Sequence, residues 1–410
     1  MSKKGDTWNE STIFRDPYSL RRVRKVTSGG IYNYHPAYHT LTAWTADGQR
    51  CIFKSGRRNH SSIFVCNVST GDITQLVDWQ AGWGINETEA AWAPEDRPFG
   101  VASICLDQHS GWVYYVQAEV EATRLKAVHI DSLEERTLSG GIPGYVFGQP
   151  TVSGDSHWVA LPSNIIPQQM ADVDSYKPMS VDGVREFFAS EGGSRMQLVR
   201  FRTEGDHEPE VVYDEVDCRG NHVQYSPVDS NILHTDRDFA PDFWGGSDQK
   251  RNRVWLWHID EQKLVEQPSP SGRTFQVHSV WSFDGKGVLY HCPPTRSGDQ
   301  RGYVIGINDL EGNNIAEYGS ESWTHYGHVG AVPDRKVIML DGNITDDLIL
   351  WLHYDDPSTP RLEVICRHGT NWGGHEWQFP HPHPQCSPAG DRIIYNAADR
   401  GRSDVFVVEL

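Results

Sequence analysis

The stretch Pro380–Tyr395, "PHPHPQCSPAGDRIIY", contains the pattern that decides the fold. A short segment leads through a turn of Ser, Pro, Gly and Asp into a second, β-branched and aromatic strand, "RIIY". Six further stretches repeat this order: "LTAWTADGQRCIF" (41–53), "EAAWAPEDRPFGVAS" (89–103), "PTVSGDSHWVAL" (150–161), "VQYSPVDSNILH" (223–234), "SVWSFDGKGVLY" (279–290) and "VGAVPDRKVIML" (329–340).

The residues that enter these turns set the repeat length. They are Thr45, Ala93, Ser153, Ser226, Ser282, Val332 and Ser387. Their spacing is roughly 50 to 70 residues, which is typical of four-stranded propeller blades with variable loops. We therefore predict an all-β fold, a seven-bladed β-propeller of four-stranded antiparallel blades, with residues 1–410 as one domain. A β-sandwich or two smaller barrels would use the same strands, but neither explains the recurrence.

The last predicted blade has only three strands before Leu410. The N-terminal segment "LRRVRKVTSG" (20–29) is a suitable outer strand for it, and this pairing would close the ring. A helix is expected only near residues 180–190, "VDGVREFFAS" with the preceding Ser180.

The composition narrows the class of protein. The net charge of −18 argues against nucleic acid as a general partner. The N-terminal segment lacks an apolar signal region, and no run approaches about 18 apolar residues, so we expect neither secretion nor membrane insertion. The 7 cysteines show no CxxC spacing and are expected to be reduced thiols in a cytoplasmic protein.

The position four residues before each turn-entry residue opens the innermost strand of its blade. It is occupied by Leu41, Glu89, Gln149, His222, His278, His328 and His383. Four of the 7 are histidine, although the chain has only 19 histidines in 410 residues. Because innermost strands line the central channel of a propeller, we predict a ring of functional side chains at one channel mouth.

The last repeat adds candidate metal ligands to this ring. Side chains alternate along a strand, so His381 and His383 should point to one side, and Pro382 is tolerated because the innermost strand is an edge. Gln378 lies just upstream, and His278 opens the fifth blade. Imidazole and amide ligands suit a divalent cation such as Mn²⁺, with Zn²⁺, Fe²⁺, Co²⁺ and Ni²⁺ also open.

Arginines concentrate in the loops between the second and third strands, which should return to the same mouth. They are Arg57, Arg58, Arg237, Arg251, Arg296, Arg301, Arg400 and Arg402, and Arg195 follows the long loop of the third blade at 164–194, a candidate lid. Guanidinium groups bind carboxylates bidentately, so an anionic substrate is expected. The alternative is that these arginines pair with nearby acidic residues.

These residues resemble the oligogalacturonate lyases, the seven-bladed propeller polysaccharide lyases of family 22. The resemblance is strongest in "SRMQLVRF" (194–201), "GNHVQYSP" (220–227), "VHSVWSFDG" (277–285) and "QFPHPHPQCSPAGDRIIY" (378–395). It departs in the loop from Thr235 to Asn252, which is longer than usual in the family, and in the N-terminal blades, which match loosely.

The resemblance implies a manganese site formed by His278, Gln378, His381 and His383, with His222 as general base and Arg195 as its catalytic partner. His234, at the end of the next strand, is a rival base. We expect His328, Gln149, His234 and Arg237 to contact the substrate. The implied substrate is a small acidic oligosaccharide, and both a monomer and a homo-oligomer stay open.

The implied reaction is β-elimination at a 4-linked uronate, which gives a 4,5-unsaturated product. The proton at C5 is weakly acidic because its removal places a second negative charge beside the carboxylate, so a cation and Arg195 would offset that charge. A non-catalytic propeller that binds a ligand or a protein is the alternative. A hydrolase would need a nucleophile or paired carboxylates, and the sequence offers neither arrangement convincingly.

Overall fold

The structure, a computed structural model, describes most of the chain. The described residues are 2–36, 42–58, 60–81, 100–118, 123–139, 145–165, 195–205, 208–216, 218–220, 222–239, 251–293, 302–319, 327–333, 336–342, 347–355, 361–370, 381–399 and 402–410. They form strands, turns and irregular segments only, so the predicted all-β class is confirmed for them. The helix expected near 180–190 lies outside the described residues.

The strands of the first half of the chain are β1 (Thr7–Asn9), β2 (Thr12–Arg15), β3 (Arg22–Lys25), β4 (Tyr32–Tyr34), β5 (Arg50–Arg57), β6 (His60–Asn67), β7 (Asp72–Gln75), β8 (Gln80–Ala81), β9 (Gly100–Leu106), β10 (Trp112–Ala118), β11 (Thr123–His129), β12 (Glu135–Thr137), β13 (Tyr145–Phe147), β14 (Thr151–Val152), β15 (Trp158–Ile165), β16 (Arg195–Arg202) and β17 (Glu210–Val216).

Those of the second half are β18 (Cys218–Arg219), β19 (Val223–Tyr225), β20 (Ile232–Asp236), β21 (Asp238–Phe239), β22 (Val254–His258), β23 (Lys263–Glu266), β24 (Val277–Trp281), β25 (Gly287–Cys292), β26 (Val304–Asp309), β27 (Asn314–Gly319), β28 (Val329–Ala331), β29 (Val337–Leu340), β30 (Leu348–His353), β31 (Arg361–Arg367), β32 (Gln385–Cys386), β33 (Arg392–Asp399) and β34 (Arg402–Glu409).

The chain divides into two compact units: Met1–Gly141 with Gly330–Leu410, and Ile142–Val329. The first unit contains an 11-stranded sheet in the order β1-β7-β6-β5-β4-β34-β3-β2, with β8 beside β6, β33 beside β34 and β32 beside β33. It also contains two 4-stranded antiparallel sheets, β12-β11-β10-β9 and β28-β29-β30-β31. The single domain and the seven blades remain predictions.

The second unit is built from antiparallel sheets of the same kind. They are the 5-stranded sheet β13-β15-β16-β17 with β14 beside β15, the 4-stranded sheets β19-β20-β22-β23 and β24-β25-β26-β27, and the short pair β18-β21. Successive strands are hydrogen-bonded neighbours in the 4-stranded sheets, apart from the short β21 between β20 and β22, as expected for propeller blades.

The turns recognised in the sequence have one chemistry in both units. The backbone N–H of the turn-entry residue bonds the carbonyl at the start of the next strand in Thr45, Ser153, Ser226, Ser282 and Ser387, at 2.8 to 3.0 Å. In four of them the hydroxyl also donates to a turn aspartate: Asp47, Asp155, Asp284 and Asp391, at 2.6 to 2.8 Å. The side-chain bond replaces a backbone bond and fixes the turn. Ala93 lies outside the described residues.

The predicted pairing of the N-terminal segment with the last strand is present. β3 lies antiparallel to β34, with Val23 opposite Val408 and Lys25 opposite Phe406. β34 also pairs with β33, so β32, β33, β34 and β3 form four successive strands of the first unit. The segment 20–29 therefore supplies an outer strand as expected.

Apolar side chains from neighbouring strands fill the interior of each unit. In the first unit Met339, Ile349 and Ile393 are fully buried in one cluster, and in the second unit Leu198 and Leu233 are fully buried in another. Each such side chain stabilises the fold by about 1.5–3 kcal/mol. Among the described residues there is no helix long and apolar enough to cross a bilayer.

Candidate functional site

The structure places the predicted ring residues at or just before the first strand of their sheets. In the second unit His222 precedes β19, His278 lies in β24, His328 precedes β28 and Gln149 lies between β13 and β14. In the first unit His383 precedes β32. Leu41, Glu89 and the predicted metal ligand Gln378 lie outside the described residues.

Two of these histidines have an unusual backbone conformation. His278 has φ of 53° and His383 has φ of 45°, both in the left-handed region. This region is disfavoured for residues with a Cβ, at a cost of roughly 1–3 kcal/mol each. The ladder of β24 also shifts register between Val277 and Val280, around His278. Strain at the same register position in each unit suggests that the direction of the imidazole is under functional constraint.

This conformation corrects the alternation expected for His381 and His383. The two residues and Pro382 are not in a strand, because β32 begins only at Gln385. The left-handed backbone at His383, not the alternation of a strand, sets the direction of its ring. The rings of His381 and His383 nevertheless lie close, with centroids 5.6 Å apart.

His383 belongs to a buried polar cluster of the first unit. Its Nδ1 contacts the hydroxyl of Tyr34, and its backbone N–H donates to Oδ2 of Asp341 at 3.3 Å. His383, Tyr34 and Asp341 are all 0% exposed. Because a metal-binding histidine uses its second ring nitrogen for a hydrogen bond that fixes the ring, Tyr34 suits the role of an outer-shell partner that directs Nε2 toward a metal.

His35 extends this cluster beneath the same segment. Its ring stacks on Tyr34 at 5.8 Å, and its Nε2 lies 3.4 Å from the carbonyl oxygen of Pro382. Burial lowers the pKa of His35 to about 4, because a charged imidazole would lose its hydration there. His35 is therefore a neutral support for the segment that carries His381 and His383.

The second unit contains its own histidine cluster. The ring of His278 lies 4.1 Å from that of His328 and 4.6 Å from that of His291, centroid to centroid. Nδ1 of His278 is 3.1 Å from the carbonyl oxygen of Gly327, so this nitrogen carries the proton and donates. The donation leaves Nε2 of His278 as the acceptor or ligand atom.

The donor sets of both units fit a transition-metal ion. Imidazole nitrogens are ligands for Mn²⁺, Fe²⁺, Co²⁺, Ni²⁺ and Zn²⁺ alike. The oxygen partners of Nδ1 at His278 and His383 are of the kind that orient metal-binding histidines. The residues present therefore fit the implied metal, and they do not select one ion.

His222 has a different partner. Its Nδ1 lies 2.6 Å from Oδ2 of Asp236, and its backbone N–H donates to Oδ1 of the same carboxylate at 2.9 Å. A guanidinium nitrogen of Arg253 also contacts Asp236. Burial alone would raise the pKa of Asp236, but the charges of Arg253 and His222 outweigh burial and hold it well below its ordinary value. A fixed carboxylate therefore orients the His222 ring.

The structure separates His222 from its rival His234 by exposure. The side chain of His222 is 15% exposed, whereas His234 is 0% exposed. The ring of His234 packs against Trp281, and its Nδ1 lies 3.2 Å from Nε2 of Gln224. Burial lowers the pKa of His234 to about 3. Of the two imidazoles, the geometry favours His222 for contact with a substrate.

The predicted arginines are paired with carboxylates. Arg195 begins β16, as expected, and donates from Nε to Oδ1 of Asp214 at 2.5 Å. Its side chain is still 49% exposed, so it can also reach an anion. That hydrogen bond and charge lower the pKa of Asp214. The alternative weighed for the loop arginines, pairing with acidic residues, therefore holds for this side chain.

Arg237 is held more tightly than Arg195. It binds Glu215 through Nε at 2.9 Å and Nη2 at 2.6 Å, and it stacks on Trp255 at 4.6 Å. Burial would lower the pKa of Arg237, but the bond to Glu215 raises it. Arg57 and Arg402 are likewise paired, with Glu10 and Asp404. Substrate contact by Arg237 remains a prediction.

The structure gives less information on the other predicted site residues. Gln149 is 8% exposed, and its Oε1 has no hydrogen-bond partner among the described residues. His328 is 2% exposed. Arg296, Arg301, Arg400 and most of the loop 164–194 lie outside the described residues.

Sequence reasoning missed four residues that support the site: Tyr34, Asp236, Arg253 and His291. Two of them could have been found from hairpin register. β19 and β20 pair Val223 with Thr235, which brings His222 opposite Asp236, and β24 and β25 pair Val277 with His291. Tyr34 had no such signal, because it lies 349 positions from His383 in the chain.

No protein-family model matches the sequence, and no curated protein matches it significantly. Solved structures do. An oligogalacturonate lyase in complex with manganese has a TM-score of 0.74 and 16% identity, covering 100% of this chain and 98% of its own. The oligogalacturonate lyase of Vibrio parahaemolyticus has a TM-score of 0.76 and 18% identity, covering 99% of this chain and 98% of its own.

The chain shares the fold of the oligogalacturonate lyases. The resemblance inferred from the sequence is thus confirmed at the level of structure. A structure of the mitotic checkpoint complex also matches, with a TM-score of 0.51, 12% identity and coverage of 99% of this chain and 96% of its own. The fold by itself therefore does not fix the function, which depends on the residues of the site.

Proposed function

We propose that this protein is a metal-dependent lyase that cleaves short oligogalacturonates by β-elimination and leaves 4,5-unsaturated products. The observation that carries the proposal is the shared arrangement of His278 and His383. Each has a left-handed backbone and an oxygen partner at Nδ1, at the same register position of two sheets. Such a conformation persists only where the surrounding contacts impose it, and residues held in it cluster at functional sites.

The proposed metal ligands are His278, Gln378, His381 and His383, and His328 is a further candidate from its contact with His278. When bound, Mn²⁺ or another divalent transition metal supplies positive charge that makes the proton α to a uronate carboxylate easier to remove. Tyr34 and the carbonyl of Gly327 hold the rings of His383 and His278 in position.

His222 is the proposed general base. Its Nδ1 faces Asp236, so Nε2 is the atom that accepts the C5 proton, and the carboxylate stabilises the imidazolium that forms. Arg253 and the backbone N–H of His222 keep Asp236 ionised and in place. The electrons of the C5–H bond then form the 4,5 double bond, the C4–O4 bond breaks, and the departing sugar oxygen takes up a proton from solvent.

Arg195 is the proposed partner that neutralises the uronate carboxylate. Its half-exposed guanidinium is anchored by Asp214, which limits its freedom without covering it. We also propose a cytoplasmic location, since all 7 cysteines are free thiols.

The test is to incubate the purified protein with digalacturonate and Mn²⁺ and to follow the ultraviolet absorbance of the unsaturated product. His381→Ala should lose both bound metal and product formation, whereas His157→Ala, an exposed turn residue, should retain both. If no uronate is cleaved with any of several divalent metals and the protein binds no stoichiometric metal, a non-catalytic binding propeller is the better description.

A further inference from the structure

A cavity lies in the first unit, outside the histidine cluster. Its volume is about 230 Å³, and it is lined by the ends of β33 and β34, by Lys25 of β3 and by the segment after β31. This volume is below the ~300–1,000 Å³ typical of pockets for drug-sized ligands, and it suits a single sugar unit.

The cavity carries an excess of positive charge. Lys25 Nζ lies 2.8 Å from Oδ2 of Asp404, and Arg402 donates to the same carboxylate through Nη2 at 2.8 Å and Nε at 3.1 Å. Asp404 also accepts from Thr27 at 2.9 Å and Asn33 at 3.2 Å. Among the described residues that line the cavity, two cations thus share one carboxylate that already has neutral donors, which gives this lining a net positive charge suited to an anion.

The cations can reach a ligand. The Lys25 side chain is 30% exposed and that of Arg402 is 36% exposed, whereas the Asp404 side chain is 8% exposed. Asp404 also lines the cavity, but its carboxylate is largely covered by its own hydrogen-bond partners, whereas the two cations are more accessible.

His368 also lies in the wall of the cavity. The backbone N–H of Thr370 donates to its Nδ1 at 3.0 Å, and the residue is 4% exposed.

An aromatic wall completes the cavity. The ring of Phe406 lines it, and Lys25 Nζ lies 5.8 Å from the ring centroid. Ala398 also lines the cavity and belongs to a buried cluster with Tyr32 and Tyr34. It therefore links the cavity wall to Tyr34, the residue that contacts His383.

We infer that this cavity binds the carboxylate of a uronate unit, with Lys25 and Arg402 holding the charge and Phe406 facing the apolar face of the sugar ring. The choice of a uronate as ligand rests on the proposed function. Because the cavity lies beside Tyr34, it is a site for a further unit of the same oligosaccharide, beyond the unit that reacts.

The test uses free galacturonate, a monomer that β-elimination cannot cleave, and the full chain treated with a chelator. Isothermal titration should show binding to the wild-type protein and to His381→Ala alike. Arg402→Gln and Lys25→Gln should each weaken it about tenfold or more, since each removes a charged donor. Arg22→Gln, which breaks an exposed ion pair to Glu409 on the same sheet, should change it less than twofold.

Two further ligands separate a sugar site from an ion site. Galactose, which lacks the carboxylate, should bind at least tenfold more weakly than galacturonate. Acetate, which lacks the ring, should also bind more weakly. The inference is wrong if galacturonate does not bind, or if acetate binds as tightly as galacturonate. Thermal melting of each variant shows whether a loss of binding reflects unfolding. Because no step needs metal or catalysis, the result stands apart from the lyase test.

Discussion

His278 and His222 occupy the same register position in two successive sheets of the second unit, yet their imidazoles have different neighbours. Nδ1 of His278 faces the carbonyl oxygen of Gly327, whereas Nδ1 of His222 faces the carboxylate of Asp236. A neutral oxygen orients a ring without adding charge, and a carboxylate stabilises the ring once it is protonated. The partner at Nδ1 thus distinguishes His278, a proposed metal ligand, from His222, the proposed base, although both occupy the same repeated position.

The sharpest test of this division is His222→Gln. Loss of a general base should lower kcat by about 10²–10⁴-fold, while bound metal stays unchanged. Steady-state kinetics with metal analysis by mass spectrometry would check both. A variant that loses its metal instead would place His222 among the ligands and remove the contrast with His278.

Asp236→Asn tests the carboxylate side of the comparison. It leaves Arg253 buried without its ionised partner, which should cost about 3–5 kcal/mol of stability at neutral pH. The pKa of Asp236 is depressed in the folded protein, so its contribution is fully present above the ordinary aspartate pKa of about 3.9 and is lost as the pH falls below it.

Urea unfolding between pH 7 and pH 3 would measure the effect of Asp236→Asn. The gap between wild type and variant should be constant near neutrality and should narrow below about pH 4. Asp260→Asn, in an exposed turn, is the control and should leave stability unchanged. A gap that does not depend on pH would mean that the ionised state of Asp236 contributes nothing.

Tyr34→Phe tests the neutral-oxygen side. It removes the hydroxyl at Nδ1 of His383 and keeps the ring that packs against His35. Loss of an outer-shell partner should weaken metal affinity by about 10–100-fold. Competition with a chromogenic chelator measures that affinity, and Tyr18→Phe, an exposed tyrosine, should not change it.

The smallest expected effect concerns the backbone at His278. Asparagine tolerates the left-handed region, whereas a β-branched residue does not. His278→Asn should therefore be more stable than His278→Val by about 1–2 kcal/mol in chemical unfolding. Equal stabilities of the two variants would indicate that the φ of 53° at His278 carries no strain. The backbone at His278 would then not be under functional constraint.

The hairpin turns and the backbone conformation of the site histidines differ in how far the sequence predicts them. The hairpins were predictable because Ser153, Ser282 and Ser387 enter turns whose side-chain bonds are local. The repeated histidine position followed from those turns. The left-handed backbone of His278 and His383 was not predictable, because it depends on contacts that outweigh local preference.

Partners from distant parts of the chain were also out of reach. Tyr34 meets His383 only because β4 lies beside β34 in the folded sheet. Asp236, in contrast, follows from the register of one hairpin. Sequence patterns therefore identify the chemical groups, and strand pairing decides which of them orient the others.

The pairing of β3 with β34 has a consequence for biosynthesis. Arg22–Lys25 can bond Arg402–Glu409 only after the ribosome has made residue 409, so the early strand, paired with β2 on one side, waits without its second neighbour while later sheets form. Such a long closure costs little more free energy than a shorter one but slows the search for it. An exposed, unpaired β3 edge during that interval is where chaperone binding would be most useful.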